Sequence, residues 1–447
     1  MAISRRSALK FSGVAAAAMA MAGTTAQAAD QTSTSNVGIG TKAPISDAKG
    51  PRVVVVGGGW SGLAVAKYTK KYAPNADVVL IEQRKSFTSG PISNLYIVGA
   101  TDLEFISHDY LKAARENNYT YFNATVVGVD KKNKVVKTSD GDMAYDYLVL
   151  APGIDYDYSA WTKDPAEEQR LKTEYPAGFI PGSETMTLKS KLEDFEGGVF
   201  LQTVPGGNYR CLPAPYERAC LIADYFKREG IDGKVLLLDE NSGITIKAEG
   251  FGSAFKEMYG KYIDYRPSTT IEKIDLDKKV VITEFDEEIA FDDASFYPHV
   301  RGGKLLEIVG VAKDSPFNKM EANIDPFTYE CIGEKDIFCS GDVRPMGFSK
   351  SGNTSNSEGH YVAKVVAGRI HGKKTKWESP LTVCYSAVSF DPLQAISVNA
   401  GYLYNEKTKS FAFANAATSE IWAGKAGKNN GKALFEWAKG MYRDMFS

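Results

Sequence analysis

The sequence is poor in the residues that most often announce a metal or haem centre. It holds four histidines, His108, His299, His360 and His371, and five cysteines, none in a Cys-x-x-Cys-His arrangement. Covalent c-type haem attachment by the usual motif is therefore excluded. The scattered histidines read as structural rather than as a metal cluster. There is also no excess of one charge: 53 Lys and Arg stand against 55 Asp and Glu, a formal net charge of −2. The basic face that nucleic-acid binding needs is missing. The body of the chain has no apolar run approaching the roughly 20 residues of a membrane span. What remains is ordinary: 447 residues, 43% hydrophobic and 24% charged, with 41 Gly and 18 Pro. That describes a soluble globular chain long enough for two or three domains.

The first residues read as an address rather than as fold. Ser4-Arg5-Arg6-Ser7-Ala8-Leu9-Lys10 precedes an apolar stretch through Met21 and then Ala26-Gln27-Ala28. A charged start, an apolar middle and a small-residue cleavage site make a signal peptide over residues 1–28. The adjacent arginines resemble a twin-arginine export signal, although Ala8 stands where such signals usually carry a bulky apolar residue. The expected destination is the periplasm, where disulfides persist. The five cysteines are accordingly candidates for redox pairing, and an odd number leaves at least one unpaired. Residues 29–50 are polar and rich in Ser, Thr and Gly, and read as a linker or extended arm.

From Arg52 the pattern changes. Arg52-Val53-Val54-Val55-Val56 is a β-branched run of the kind buried in parallel sheets, followed by a helical pattern from Gly62 to about Tyr72 and a strand at Val78–Ile81. A second strand–helix–strand unit is expected over Val199–Val204, Tyr216–Arg228 and Lys234–Leu238. Ile337-Phe338-Cys339-Ser340-Gly341-Asp342 reads as a late strand ending in Gly-Asp, and a helix from about Ser357 to Ile370 follows it. The fold class is α/β, with two Rossmann-like dinucleotide-binding-type domains and a C-terminal α+β cap. The expected boundaries are a discontinuous first domain at 51–160 and 300–372, a second at 161–299, and a C-terminal domain at 373–447.

Gly57-Gly58-Gly59-Trp60-Ser61-Gly62 is a G-x-G-x-x-G between strand and helix. Gly57 allows the tight turn, Gly59 the close approach of a pyrophosphate, and Gly62 the packing of helix on strand. The helix that follows presents its free N–H groups to the phosphates, and Trp60 and Ser61 of the motif are candidate cofactor contacts. Glu82, at the end of the next strand, is placed to hold a ribose. Gly341-Asp342 after the late strand suits FAD, with Asp342 reaching the ribityl chain; a helix-capping Asp is the plainer alternative. Together with the Ala151-Pro152-Gly153 turn, this favours FAD over NAD. The second unit lacks such a cradle. Pro205-Gly206-Gly207-Asn208-Tyr209-Arg210-Cys211-Leu212-Pro213-Ala214-Pro215 puts prolines, which have no N–H to offer a phosphate, where a nicotinamide site would need donors. Productive binding of NAD(P)H is not expected.

Cys211-Leu212-Pro213-Ala214-Pro215-Tyr216-Glu217-Arg218-Ala219 resembles the Cys-Pro-Pro-Gly-Pro-Tyr-Glu-Arg-Ala segment of the flavoprotein subunit of flavocytochrome c sulfide dehydrogenase. Cys384-Tyr385-Ser386, Ile396-Ser397-Val398, Pro345-Met346, Lys350-Ser351-Gly352 and Asn356-Ser357 also resemble segments of that family. The resemblance implies a disulfide-reductase-like fold and an FAD enzyme that oxidises sulfide. It also implies a redox disulfide between Cys211 and Cys384 at the flavin, and a separate cytochrome c subunit as electron acceptor. Glu217 becomes a candidate proton carrier; its plainer reading is a solvated carboxylate in a first helical turn. Asn94, Ala151, Gly153, Lys350, Ser351 and Gly352 become candidate flavin contacts. One departure stands out. Well-known members link FAD through a cysteine in Tyr-Thr-Cys-Tyr-Leu-Ser-Asn, and here Thr88-Ser89-Gly90-Pro91-Ile92-Ser93-Asn94 has Gly90 at that place, so FAD is expected to bind noncovalently.

The other cysteines carry less. Cys220 reads as a core thiol, and Cys331 and Cys339 flank a short turn that leaves a structural bridge open. Two other functions stay in view. A sulfide:quinone oxidoreductase would use the helical stripe Leu434, Phe435, Ala438, Met441, Tyr442, Met445 and Phe446 on a membrane, where it can equally pack on the core. A noncatalytic flavin-binding electron-transfer scaffold would keep the cysteines for structure alone.

Overall fold

The computed structural model describes residues 40–447. The export signal and residues 29–39 of the arm lie outside the described residues. The end of the arm is docked: Ala43 is buried, its N–H donating to the Asp142 carbonyl at 2.9 Å.

Two parallel sheets carry the architecture. The first has five strands in the order Ile337–Cys339, Tyr147–Leu150, Arg52–Val56, Asp77–Glu82 and Thr120–Asn123, all parallel. Its central strand is apolar on both faces, and Val53, Val54 and Val55 are fully buried. The helix Trp60–Tyr72 covers it together with Gly352–Ile370. These helices touch so closely that a Cβ on Gly359 would stand 2.5 Å from the Ser61 carbonyl oxygen. The second sheet is also parallel, in the order Ile263–Arg266, Asp232–Asp239, Gly197–Val204 and Asp293–Ser295. The helix Ala214–Glu229 packs on it. A two-stranded antiparallel ribbon, Ile154–Asp157 with His299–Gly302, stands where the chain leaves the first sheet and where it comes back.

The C-terminal part is antiparallel. Strands Thr382–Phe390, Leu393–Asn405 and Ser410–Ser419 form a three-stranded sheet. The helix Gly424–Phe446 lies against its middle strand and turns Leu434, Ala438, Tyr442, Met445 and Phe446 into the core. Of the two placements open in the sequence for this stripe, the structure shows core packing. Among the described residues no helix is long and apolar enough to cross a membrane.

One boundary differs from expectation. The helix expected from about Ser357 begins at Gly352, capped by the Ser351 side chain, which accepts from the Thr354 N–H. Gly-Asn-Thr-Ser-Asn-Ser is a poor helix former by propensity; burial of Asn353, Thr354 and Ser355 overrides it.

Behind this helix lies a dry cluster of charge. Arg344 and Glu358 are both fully buried and pair at 2.9 Å, and Tyr329 donates to Glu358 at 2.8 Å. Burial pushes the Glu358 carboxyl up to about 7, against the pull of Arg344 and Tyr329. A buried acid raised in this way favours the protonated fold. It therefore costs stability as pH rises from its ordinary 4.5 toward 7, and Arg344 is needed most above that range. Arg344→Met should lower stability at pH 8 by about 3–5 kcal/mol in urea unfolding, and by less at pH 5. Adding Glu358→Gln should recover part of the loss. A double variant no more stable than the single one would show that the unpaired carboxylate is not the cause.

Candidate functional site

The glycine motif folds as its spacing requires. Gly57 has φ 105, and a Cβ there would stand 2.3 Å from the Ala151 carbonyl oxygen. A Cβ on Gly62 would meet the Gly57 oxygen at 1.8 Å. Gly59 has nothing within 4 Å on its open side and caps the helix Trp60–Tyr72 without a side-chain hydrogen bond. The first helical N–H groups are left for a ligand. Glu82 accepts from the Gly58 N–H at 2.7 Å and from the Arg84 N–H at 2.9 Å. It braces the loop from behind. Gly57, Gly62 and Glu82 shape the cavity without lining it, whereas Gly59, Trp60 and Ser61 line it.

The cavity, about 1270 Å³ and open to solvent, runs from this cradle past Ala151 and Gly153 to the Gly341–Asp342 turn and the start of the helix Gly352–Ile370. Asp342 does not cap that helix, since Ser351 does. Its carboxylate takes Arg210 Nε at 2.7 Å and Ser355 Oγ at 2.7 Å. Burial alone would raise its pKa, but Arg210, Arg344 and Lys350 outweigh burial and hold it at about 2. Lys350 is itself buried, donating to Glu321 at 2.6 Å and to the Asp342 carbonyl at 2.6 Å. Two helix starts, an anionic turn and glycine-bared backbone along one elongated cavity fit a dinucleotide such as FAD.

Past the flavin cradle the cavity walls bring together Cys211, Cys384, Glu217 and Asn94. Cys211 has φ 58, fixed by its N–H to the Lys350 carbonyl at 2.8 Å and by its carbonyl taking the Ala214 N–H at 2.8 Å. Cys384 lies in the strand Thr382–Phe390. Both are free thiols. Burial pushes the Cys211 thiol up, and the neighbouring Cys384 and Glu217 push it further while Lys247 opposes them. Glu217 is no solvated carboxylate. One oxygen takes Asn94 Nδ2 at 2.8 Å and the other the Ala387 N–H at 2.7 Å. Burial raises its pKa, against these hydrogen bonds and the charge of Lys247. Asn94 is oriented in turn by Arg218 Nε, 2.9 Å from its Oδ1.

Gly90 also lines the cavity, and a Cβ built there meets nothing within 4 Å. Cys220 is fully buried in the core. Cys331 and Cys339 touch at 3.4 Å as buried free thiols, without a bond. Sequence reasoning missed Arg210 and Lys247. Lys247 Nζ lies 2.6 Å from Ser386 Oγ and 3.6 Å from Cys384 Sγ. A lone lysine before a helix carries no signal in its spacing. Arg210 could have been found beside Cys211, immediately before the segment that carries the resemblance.

Comparison with known proteins agrees with this geometry. Residues 185–298 match "Sulfide dehydrogenase [flavocytochrome c] flavoprotein chain, central", and residues 379–446 match "Flavocytochrome c sulphide dehydrogenase, flavin-binding". Residues 51–168 match "Pyridine nucleotide-disulphide oxidoreductase". The chain is 49% identical over 43 residues to the sulfide dehydrogenase flavoprotein chain of Chlorobaculum thiosulfatiphilum, covering 10% of this chain and 90% of that one. It is 24% identical over 350 residues to the sulfide-quinone reductase of Aquifex aeolicus, covering 74% of this chain and 79% of that one. The solved sulfide:quinone oxidoreductase from Aquifex aeolicus superimposes with TM-score 0.69 at 18% identity, over 89% of this chain and 92% of that chain. A NAD-dependent persulfide reductase from A. fulgidus gives 0.57 at 17% identity, over 80% and 64%.

The cradle makes a direct prediction. Gly62→Ala forces a methyl group onto the Gly57 carbonyl, so the purified protein should carry at least tenfold less flavin by its 450 nm absorbance. Wild-type flavin content in that variant would place the pyrophosphate elsewhere.

Proposed function

We propose that sulfide is the substrate: the chain belongs to the family of the flavoprotein subunit of flavocytochrome c sulfide dehydrogenase, FAD-dependent relatives of the pyridine nucleotide-disulfide oxidoreductases. In this reading it is a periplasmic enzyme that oxidises sulfide to sulfur or polysulfide through a Cys211–Cys384 redox disulfide beside noncovalent FAD, and a separate cytochrome c takes the electrons. The observation that carries it is the convergence of Cys211, Cys384 and the buried Glu217 at one end of the dinucleotide cavity. Gly59, Trp60 and Ser61 would hold the pyrophosphate, Asp342 the ribityl chain, and the helix start at Ser351–Gly352 the ring end. Bound FAD supplies a two-electron acceptor.

The chain's own residues do the rest. Hydrosulfide is a nucleophile that opens a disulfide by attack on one sulfur, expelling the other as a thiolate. Glu217, raised by burial, can hold the proton that substrate brings, and Asn94 keeps its carboxyl aimed. Noncovalent binding is supported by Gly90 and by the absence of any cysteine but the pair among the cavity-lining residues. The absence of a nicotinamide role is supported by Pro205, Pro213 and Pro215, which have no N–H to offer a phosphate in the loop that follows the strand Gly197–Val204.

A cytochrome acceptor is supported by the family and by the C-terminal apolar stripe being turned inward. The second reading, transfer to quinone, is favoured by the similarity to sulfide-quinone reductases over about three quarters of the chain. Anaerobic sulfide should bleach the flavin of the wild type and leave that of Cys384→Ser oxidised. Bleaching that survives in the variant would remove the pair from the mechanism, and no bleaching in the wild type would favour the electron-transfer scaffold. The reduced protein should then pass electrons to cytochrome c faster than to decylubiquinone, with the reverse order selecting the quinone reading. Acid precipitation should release the flavin, and flavin retained in the pellet would show a covalent link. Glu217→Gln should slow sulfide turnover by about 10²–10⁴-fold at unchanged flavin content; turnover near the wild-type rate would return Glu217 to a structural role.

A further inference from the structure

Lys247 is buried to 3% exposure, immediately before the helix Ala248–Glu257 and with a left-handed φ of 54. Its ammonium touches two side chains of one strand, Ser386 Oγ at 2.6 Å and Cys384 Sγ at 3.6 Å. Residues two apart on a strand share a face, so a single lysine reaches both. A buried ammonium is costly without an anion. The nearby carboxylate that feels its charge is Glu217, already held by Asn94 and the Ala387 N–H.

The other sulfur has the opposite surroundings. Cys211 is fixed on the loop before the helix Ala214–Glu229, closer in chain and in influence to the carboxylate of Glu217. Burial, Cys384 and Glu217 all disfavour its thiolate, with Lys247 the opposing charge. The groups that face the pair are thus Lys247 and Ser386 at Cys384, and Glu217, with Arg218 behind it through Asn94, at Cys211.

We propose that Lys247 makes the two cysteines unequal: Cys384 is the sulfur that leaves as a thiolate, and Cys211 is the sulfur that hydrosulfide attacks and that carries the persulfide. This rests on the redox-pair reading above. In the step, the hydrosulfide sulfur bonds to Cys211 Sγ and the Sγ–Sγ bond breaks. The bonding pair and the negative charge pass to Cys384 Sγ, beside the ammonium. No electron leaves the protein and substrate in this step. The ammonium 3.6 Å from Cys384 Sγ faces the negative charge that develops there as the bond breaks, which gives the placement of Lys247 its kinetic sense.

Two measurements on the flavin-loaded full chain test it. The oxidised wild type is mixed anaerobically with one equivalent of sulfide, quenched with iodoacetamide and mapped by peptide mass spectrometry. The persulfide is expected on the Cys211 peptide, and its appearance on the Cys384 peptide overturns the assignment. The second measurement follows alkylation of Cys384 by iodoacetamide against pH in the dithionite-reduced wild type, Lys247→Met and Lys247→Arg. The Met variant should react about tenfold more slowly at pH 7, with Arg restoring most of the rate. An unchanged rate in the Met variant removes Lys247 from this role. The alkylation profile needs no turnover, so a wild type that sulfide fails to bleach loses the redox-pair reading alone. The persulfide map needs no variant, so misfolding of Lys247→Met leaves it able to decide.

Discussion

The carboxylate of Asp342 is the point on which the site depends. It closes the turn after the late strand of the first sheet, and it is buried among Arg210, Arg344 and Lys350. Arg210 comes from the loop that follows the first strand of the second sheet, so its 2.7 Å ion pair ties the two parallel sheets together at the cavity. The next residue on that loop is Cys211, whose N–H is held by the Lys350 carbonyl. One anion therefore orders the turn that faces the dinucleotide and, through Arg210, the cysteine that faces its far end. Its charge answers that of Arg210 directly and adds to the carboxylates of Glu358 and Glu321, which pair with the buried Arg344 and Lys350.

The catalytic end needs a third contribution, and the C-terminal sheet makes it. Cys384 comes from that sheet's first strand, and the same strand gives Glu217 the Ala387 N–H. Glu217 is thereby pinned between the C-terminal sheet and the short helix that carries Asn94. Glu217 and the two cysteines are each fixed by backbone contacts to an element other than their own. This is the arrangement expected of a site that must keep reacting atoms within narrow limits while its elements come from distant parts of the chain.

Much of this was legible in the sequence because the signals were local. The valine run, the glycine spacing and the apolar strand ending in Gly-Asp each carry their meaning within a few residues, and the sheets follow from them. Cys211 and Cys384 were legible only through resemblance, since no spacing rule links cysteines brought together by tertiary folding. Lys247 was not legible at all: the partners of its buried ammonium, Cys384 and Ser386, lie on a strand far away in sequence. The early start of the helix at Gly352 was missed for the complementary reason, that burial against Trp60–Tyr72 outweighs the low helix propensity of Asn, Thr and Ser. Two readings stayed open for Glu217 because its position in a first helical turn is also one that exposed acids favour.

The division of the cavity gives the missing tether at Gly90 its meaning. With glycine there and no cysteine but the redox pair lining the cavity, flavin retention in the noncovalent reading falls to backbone N–H groups and close glycine packing at the cradle. Those features lie at one end, while Cys211, Cys384 and Glu217 lie at the other. In the proposed reading, changes at Gly57 or Gly62 act on occupancy, and changes at Cys384, Glu217 or Lys247 on chemistry at full occupancy. The two ends are joined by Asp342, Arg210 and the loop to Cys211. A substitution in that link belongs to neither class, because the turn at Asp342 and the loop of Cys211 share the Arg210 ion pair.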